Sequence, residues 1–393
     1  MFSRFFASVQ RQSRRWSFGN LKTYFSGSKS TEDLPVETKA LAVSLPLEPT
    51  ASTQTTPTDL FFNGLLAIKA HLEANPRPRP DMTAVNQFVN SLNHQYVSLN
   101  GRRYHYVDEG NPKHETLVLV HGFPDTWFGW RKQIPFLVQK GYRVIVVDCL
   151  GYGETVQPRC IGNDVHPYRA KRIASDFIAL LDHLHVPKAV FIGHDWGAAL
   201  VWTTGHWFPE RCNSVISIGN PYMFPEKVFL STESLMAINP NMFYVALFES
   251  AAPEYWFEGN TRTLAEVTYE SMFPDANHGT SDAEREYYIT SFAQTSFHGG
   301  YNYYRSRLLN HEDELSLVGQ KYTVPSMLLM IKDDPVLTLS WCEAFNDKDK
   351  DMFVDLEIQY IETGGHRSLT ENAKEVNEHL AAYLGATFSN NAK

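Results

Sequence analysis

Two hydrophobic rhythms alternate along most of this chain. Short, nearly unbroken apolar runs occur at TLVLVHG, YRVIVVD, AVFIGHD and SVISIGN, and again at PSMLLMIKDD and LEIQYIET. Runs of that kind suit parallel strands buried on both faces. Between them the apolar positions recur at helical spacing. In YRAKRIASDFIALLDHL, residues Ile173, Phe177, Leu180, Leu181 and Leu184 make one stripe, as an amphipathic helix requires. Alternation of this kind predicts a doubly wound, mostly parallel α/β sheet. An antiparallel hairpin precedes it in HQYVSLNGRRYHYVDEG, where Asn100-Gly101 tolerates the positive φ of a tight turn.

The alternation breaks after Pro221. Residues 225–322 read as helices crowded with aromatics, among them Phe243, Tyr244, Phe248, Tyr255, Trp256, Phe257, Tyr287, Tyr288, Phe292 and Phe297. Ser281 and Glu284 have capping-box spacing and start one of them. Helices inserted between two halves of a parallel sheet predict a cap over the strands' carboxyl ends, where such sheets bind ligands. The expected organisation is a core of 94–224 and 323–386 interrupted by that cap, with 387–393 as a tail. Before the core, DLFFNGLLAIKAHLEANP predicts a helix capped by Asp59, with Leu65, Ile68 and Leu72 on one side. We read 59–93 as an arm outside the core and 32–58, rich in Thr, Pro and Ser, as a disordered linker.

Composition narrows the function. The net charge is −9, so a nucleic-acid partner is not expected. The only local basic stretch is residues 1–31, which carry Arg4, Arg11, Arg14, Arg15, Lys22 and Lys29, many serines and no acid. Phe2, Phe5, Phe6 and Val9 could form one face of a basic amphipathic helix there, the composition of a mitochondrial transit peptide. Cys149, Cys160, Cys212 and Cys342 show no CxxC spacing, so neither a disulfide framework nor a zinc site is expected. No apolar run approaches membrane-spanning length.

The chemistry starts at GHDWGA, residues 193–198. It fits a nucleophile elbow, G-x-Nuc-x-G, at a strand-to-helix turn, with Asp195 where a serine is usual. The triad order of that architecture, nucleophile then acid then histidine, is completed by Asp334 after the MLLMI run and His366 in TGGHRSL. Asp333 competes with Asp334 for the acid's place; the PVL that follows favours Asp334. The loop HGFP after TLVLV is placed to donate one backbone N–H to an oxyanion hole, from Phe123, and the residue after the nucleophile, Trp196, gives the other.

An aspartate nucleophile changes the reaction. A carboxylate needs no base and suits displacement at saturated carbon, giving an alkyl ester of Asp195. His366, oriented by Asp334, can then deprotonate a water that attacks the aspartyl carbonyl carbon. The substrate therefore carries a leaving group on saturated carbon, an epoxide oxygen or a halide. An epoxide oxygen needs a proton donor, and tyrosine is a natural one. Tyr244 in NPNMFYVALFE and Tyr304 in HGGYNYYRSR are the best placed in the cap. Pocket-lining positions are expected at His121, Pro124, Phe248 and Arg367. No cofactor or metal is expected.

The segments HGFPDTWFGWRKQIPFLVQKGYRVIVVDCLGYGET and VFIGHDWGAALVW resemble the soluble epoxide hydrolases of the α/β-hydrolase fold. The likeness runs from about His94 to Leu384 and is strongest over residues 116–222. It implies Asp195 as nucleophile, Asp334 and His366 as the charge pair, Phe123 and Trp196 as oxyanion donors, and Tyr244 and Tyr304 as ring-opening acids. It also implies a small, hydrophobic epoxide substrate. This chain departs from the family at Arg367, where an aromatic residue is usual, at IKDD in place of GEKD, and at Val245, where glutamine is common. A shift in cap register would put Tyr301 or Tyr303 in the place of Tyr304. Haloalkane dehalogenases share the aspartate, the histidine and Trp196, but many have asparagine where Phe123 stands. A catalytically silent ligand-binding protein of the same fold is a third reading. For the amino-terminal segment, residues 1–31 fused to a fluorescent reporter should carry it to mitochondria, and a diffuse cytosolic signal would remove the transit reading.

Overall fold

The computed structural model describes residues 57–160, 164–239, 242–251, 253–254, 261–272 and 279–388. The expected transit segment lies outside the described residues, as does the linker up to residue 56 and the run Tyr255, Trp256 and Phe257. Eight strands form one sheet: β1 (His94–Leu99), β2 (Arg102–Glu109), β3 (Thr116–Val120), β4 (Arg143–Val147), β5 (Ala189–His194), β6 (Cys212–Ile218), β7 (Ser326–Ile331) and β8 (Leu356–Ile361). Their order is β1-β2-β4-β3-β5-β6-β7-β8.

Each strand falls on an apolar run. The hairpin of β1 and β2 turns at Asn100 and Gly101, with φ of 49° and 80°, and Leu99 pairs with Arg102 across it. From β4 to β8 every pairing is parallel. All residues of β3, β4, β5 and β7 are buried, and each fully buried Val, Leu or Ile contributes about 1.5–3 kcal/mol. On β8, at the sheet edge, Glu357 and Tyr360 stay exposed.

The first helices are α1 (Pro57–Ala74), α2 (Thr83–Ser91), α3 (Gln133–Gln139), α4 (Ala170–His183) and α5 (Trp196–Trp207). On α4 the predicted stripe is buried at Ile173, Phe177, Leu180 and Leu181. The helix α1 starts two residues earlier than expected, so Asp59 sits in its first turn and is not its cap. Pro57 explains the difference, since proline is pre-organised for the first helical position.

Between β6 and β7 lie α6 (Thr232–Ile238), α7 (Phe243–Glu249), α8 (Thr261–Met272), α9 (Asp282–Thr295), α10 (His298–Arg305) and α11 (Arg307–Glu314). The predicted capping box starts α9: the Ser281 hydroxyl accepts the Glu284 N–H at 3.2 Å, and Glu284 accepts the Ser281 N–H at 2.8 Å. After β7 come α12 (Leu339–Asp349), α13 (Ser368–Glu371) and α14 (Ala373–Phe388), the last burying Val376, Leu380, Tyr383 and Leu384. Among the described residues no helix is long and apolar enough to cross a membrane.

Charged pairs tie the helical layer to the rest. Arg131, just before α3, donates to Glu284 at 2.5 Å. Arg169, at the start of α4, donates to Asp313 on α11 at 2.6 Å. The arm is not detached: α1 packs on α8 and α7, burying Leu65 and Leu72. There Glu270 of α8 accepts from Arg285 of α9 at 2.7 Å and from Arg77, beyond α1, at 3.2 Å. Arg285 is only 7% exposed. Removing the charge of Glu270 therefore strands a cation in a place water barely reaches, which costs about 3 kcal/mol. Urea denaturation of Glu270→Gln should show a loss of that order; an unchanged midpoint would mean that the pair contributes nothing.

Candidate active site

The parallel strands all end at one edge, and the four loops that carry the expected site residues leave from it. HGFP follows β3, Asp195 follows β5, Asp334 lies three residues past β7 and His366 five past β8. Because β3 and β5 are neighbours while β4 lies on the far side of β3, the strand order reverses there. Such a switch point opens a crevice at the strand ends.

Asp195 is held in the elbow at φ 55° and ψ −121°, a conformation that costs a non-glycine residue about 1–3 kcal/mol. Two glycines permit the close packing around it. A Cβ on Gly197 would lie 2.1 Å from the Val120 carbonyl oxygen, and one on Gly122 would lie 2.3 Å from the Asp195 carboxylate. The backbone carbonyl of Asp195 accepts from the Asn220 side chain at 3.1 Å and from the Ala198 N–H at 3.0 Å.

The carboxylate is 7% exposed at residue level. Its Oδ1 accepts the Phe123 N–H at 2.7 Å, and its Oδ2 faces His366 Nε2 at 3.5 Å. On its other side, His366 Nδ1 lies 2.9 Å from Asp334 Oδ2. Asp334 Oδ1 accepts the N–H groups of Val336 and Leu337 at 2.8 and 3.0 Å. Asp333 is exposed while Asp334 is 3% exposed and is the one brought against His366. Trp196 opens α5, so its N–H has no carbonyl within the helix to bond and stands at the elbow.

Charge orders this group. Burial alone would raise the Asp195 carboxyl, but the hydrogen bond and charge of His366, with His194 and the Phe123 N–H, hold it below the usual carboxylate range. Burial likewise opposes the ionised form of Asp334, and His366 with two backbone N–H groups outweighs it. Burial would lower the His366 imidazole; the Asp334 charge and the hydrogen bonds to Asp195 and Asp334 overcome that and hold it well above 6.5.

Tyr304, on α10, stands in a ring cluster. Its centroid lies 5.1 Å from Trp196, 5.7 Å from Phe123, 5.1 Å from Phe248 and 6.0 Å from Tyr244. Tyr244 is on α7 and donates to the Met242 sulfur at 3.4 Å. Burial, with Tyr244 and the Asp195 charge nearby, pushes the Tyr304 phenol far up. Burial and the charges of Asp195 and Asp334 do the same to Tyr244. The alternative tyrosines share part of this cluster, Tyr303 at 5.9 Å from Trp196 and Tyr301 at 5.8 Å from Phe123 and 5.0 Å from Phe248. But the Tyr303 hydroxyl donates to the Leu150 carbonyl at 2.9 Å, and the charge acting on Tyr301 is that of Glu254.

A cavity meets this group, lined by Phe123, Pro124, Asp125, His194, Tyr269, Tyr288, His366, Arg367, Leu369 and Thr370. Pro124 and Arg367 thus lie where a pocket wall was expected. Phe248 lies instead in the ring cluster, which meets the cavity at Phe123. His121 is 1% exposed, with Nδ1 2.9 Å from the Gly122 carbonyl and Nε2 accepting the Cys149 N–H at 3.0 Å. It supports the HGFP loop from behind and does not face the cavity. Sequence reading missed Asp125, His194, Tyr269 and Tyr288. Asp125 directly follows HGFP and His194 directly precedes Asp195, so both were marked by position. The two tyrosines could not be told from packing aromatics. Among the described residues no group of three His, Cys, Asp or Glu is placed to hold a metal.

Residues 115–366 match the alpha/beta hydrolase fold family, and the chain belongs to it. Within that family it is similar to named epoxide hydrolases. It is 29% identical over 326 residues to bifunctional epoxide hydrolase 2 of Mus musculus, covering 77% of this chain and 57% of that protein. Epoxide hydrolase A of Mycobacterium tuberculosis is 28% identical over 316 residues, covering 73% of this chain and 96% of that one. The solved structure of epoxide hydrolase A from Mycobacterium thermoresistibile superposes with a TM-score of 0.63 at 29% identity, over 75% of this chain and 98% of that one. The chain spans little more than half the length of the mammalian relatives it matches.

The charge arrangement has a direct test. With His366 raised, its ion pairs stabilise the fold fully below pH 6.5, a contribution lost as pH rises through the raised value. Removing the Asp334 charge in Asp334→Asn should bring the His366 titration down. Imidazole NMR across pH, with His366→Gln marking the resonance, checks this, and an unmoved titration would count against the assignment.

Proposed function

We propose that the chain is an epoxide hydrolase, adding water to an epoxide to give a vicinal diol through an ester of Asp195. One observation carries the reading. A buried aspartate has one oxygen on a backbone N–H at 2.7 Å and the other toward a histidine at 3.5 Å, beside two phenols that burial and its own charge keep protonated.

In this reading Asp195 Oδ2 attacks a ring carbon and the carbon–oxygen bond breaks. The electron pair stays on the ring oxygen, which takes the proton of Tyr304 or Tyr244. Ester formation neutralises Asp195, so His366 loses one of the two carboxylates that hold its proton. The proton it gives up balances the one the phenol supplied. Neutral His366 then deprotonates a water that attacks the Asp195 carbonyl carbon. Oδ1, already on the Phe123 N–H, becomes the oxyanion, with Trp196 N–H as second donor; each such donor is worth about 3–4 kcal/mol in the transition state. Collapse releases the diol and restores the carboxylate.

The names of the relatives support this substrate class, and the two phenols support it over halide release. A pair of protonated tyrosines serves an oxygen leaving group that stays attached to the substrate. The charged triad supports catalysis over silent ligand binding. A mitochondrial address for the enzyme is part of the same proposal and rests on residues 1–31 alone.

His366→Gln should form the ester and fail to hydrolyse it. Incubated with styrene oxide, this variant should gain a mass equal to the substrate on the peptide that carries Asp195. Absence of the adduct, or halide release from a chloroalkane with no diol from the oxide, would overturn the proposal.

A further inference from the structure

The cavity beside His366 has a charged wall that epoxide opening does not use. We propose that this wall is a carboxylate subsite: the Arg367 guanidinium seats an anionic group of the substrate, so that the preferred substrates are small epoxy acids. The identity of the substrate rests on the epoxide-hydrolase reading above; binding of the anion does not.

Arg367 directly follows His366 and lines the same cavity. Its guanidinium cannot lose its proton at any physiological pH. It is also held in place. One nitrogen donates to the Tyr269 hydroxyl at 2.9 Å, and the guanidinium carbon lies 5.4 and 5.6 Å from the ring centroids of Tyr269 and Tyr288. A fork fixed on two rings loses little freedom when a carboxylate docks, and its planar shape matches two carboxylate oxygens.

The other groups on the wall fit a polar occupant. His194 is 5% exposed, and neither ring nitrogen has a hydrogen-bond partner within the protein. The acids nearby are engaged with donors of their own. Asp195 is taken by Phe123 and His366, and Asp125 accepts the Thr126 N–H at 2.8 Å. A substrate carboxylate is therefore drawn to Arg367 in competition with Asp125, which lines the same cavity and whose charge also acts on that guanidinium.

Two measurements test this. In the first, a series of ω-epoxy acids of increasing length is compared with their methyl esters. The acids should exceed the esters in kcat/KM by about 10- to 100-fold, the range of a charge-assisted hydrogen-bonded contact, and the ratio should shrink with added salt. Arg367→Gln should bring the acid-to-ester ratio near one, and Arg367→Lys should keep part of it. In the second, saturated carboxylates of matching length are titrated against their amides by calorimetry, with no turnover involved. The carboxylates should bind better, and Arg367→Gln should erase the difference. A ratio near one in the unaltered protein, a ratio unmoved in Arg367→Gln, or equal binding of acids and amides would overturn the subsite. Carboxylate binding that depends on Arg367 without opening of any epoxide would leave the subsite standing and remove the epoxide reading; diol formation with no acid preference would do the reverse.

Discussion

Two carboxylates flanking one buried imidazole form the interaction on which the rest of this structure depends. Taken singly, Asp195, Asp334 and His366 would each be driven toward neutrality by burial. Together they hold each other charged. The arrangement keeps a net negative charge, which backbone N–H groups from Phe123, Val336 and Leu337 offset. Those donors come from two loops far apart in the chain, after β3 and after β7, so the ionised site can exist only once the sheet has brought its loops to one edge. Fold and chemistry are coupled through that requirement.

The elbow shows the same coupling at the level of backbone. Asp195 occupies a conformation its side chain disfavours, and the preference is overridden by the two elements it joins. One is β5, buried in the sheet between β3 and β6; the other is α5, whose first turn accepts no shift because Gly197 lies against the Val120 carbonyl. A strand and a helix fixed this closely leave the connecting residue no other path. The result is a carboxylate pressed against Gly122 and turned between the Phe123 N–H and His366.

How much of this was legible in the sequence follows from how local each signal is. The strands could be read because burial on both faces demands consecutive apolar residues, whatever the neighbours are. That Asp195, Asp334 and His366 meet could be read because they follow strand ends in a fixed order. The choice between Asp333 and Asp334 could not be made from composition, since adjacent residues on a turn differ only in which one faces inward; burial decides it. His121 was misplaced for a related reason. It belongs to a motif that lines the site, yet its two ring nitrogens are taken up by the Gly122 carbonyl and Cys149 N–H. The docking of α1 on α7 and α8 was not legible at all, because a helical stripe states that one face is buried and not against what. The same holds for Tyr269 and Tyr288, whose role in the cavity wall depends on how α8 and α9 pack.

The proposed reaction gains most from the fact that a single charge governs three groups. While Asp195 is ionised, it raises the phenols of Tyr244 and Tyr304 and helps to hold the proton on His366. All three are then in the state that ring opening needs: two acids protonated and the base switched off. When Asp195 becomes an ester, its charge is gone and each influence reverses. The phenolate left by proton donation is no longer repelled, so it forms at lower cost. The imidazolium is no longer held on both sides, so it can release its proton and act on water. The nucleophile's own charge, present and then absent, sets which group is acid and which is base, and this explains why a carboxylate at the elbow calls for phenols above it and a second carboxylate behind the histidine.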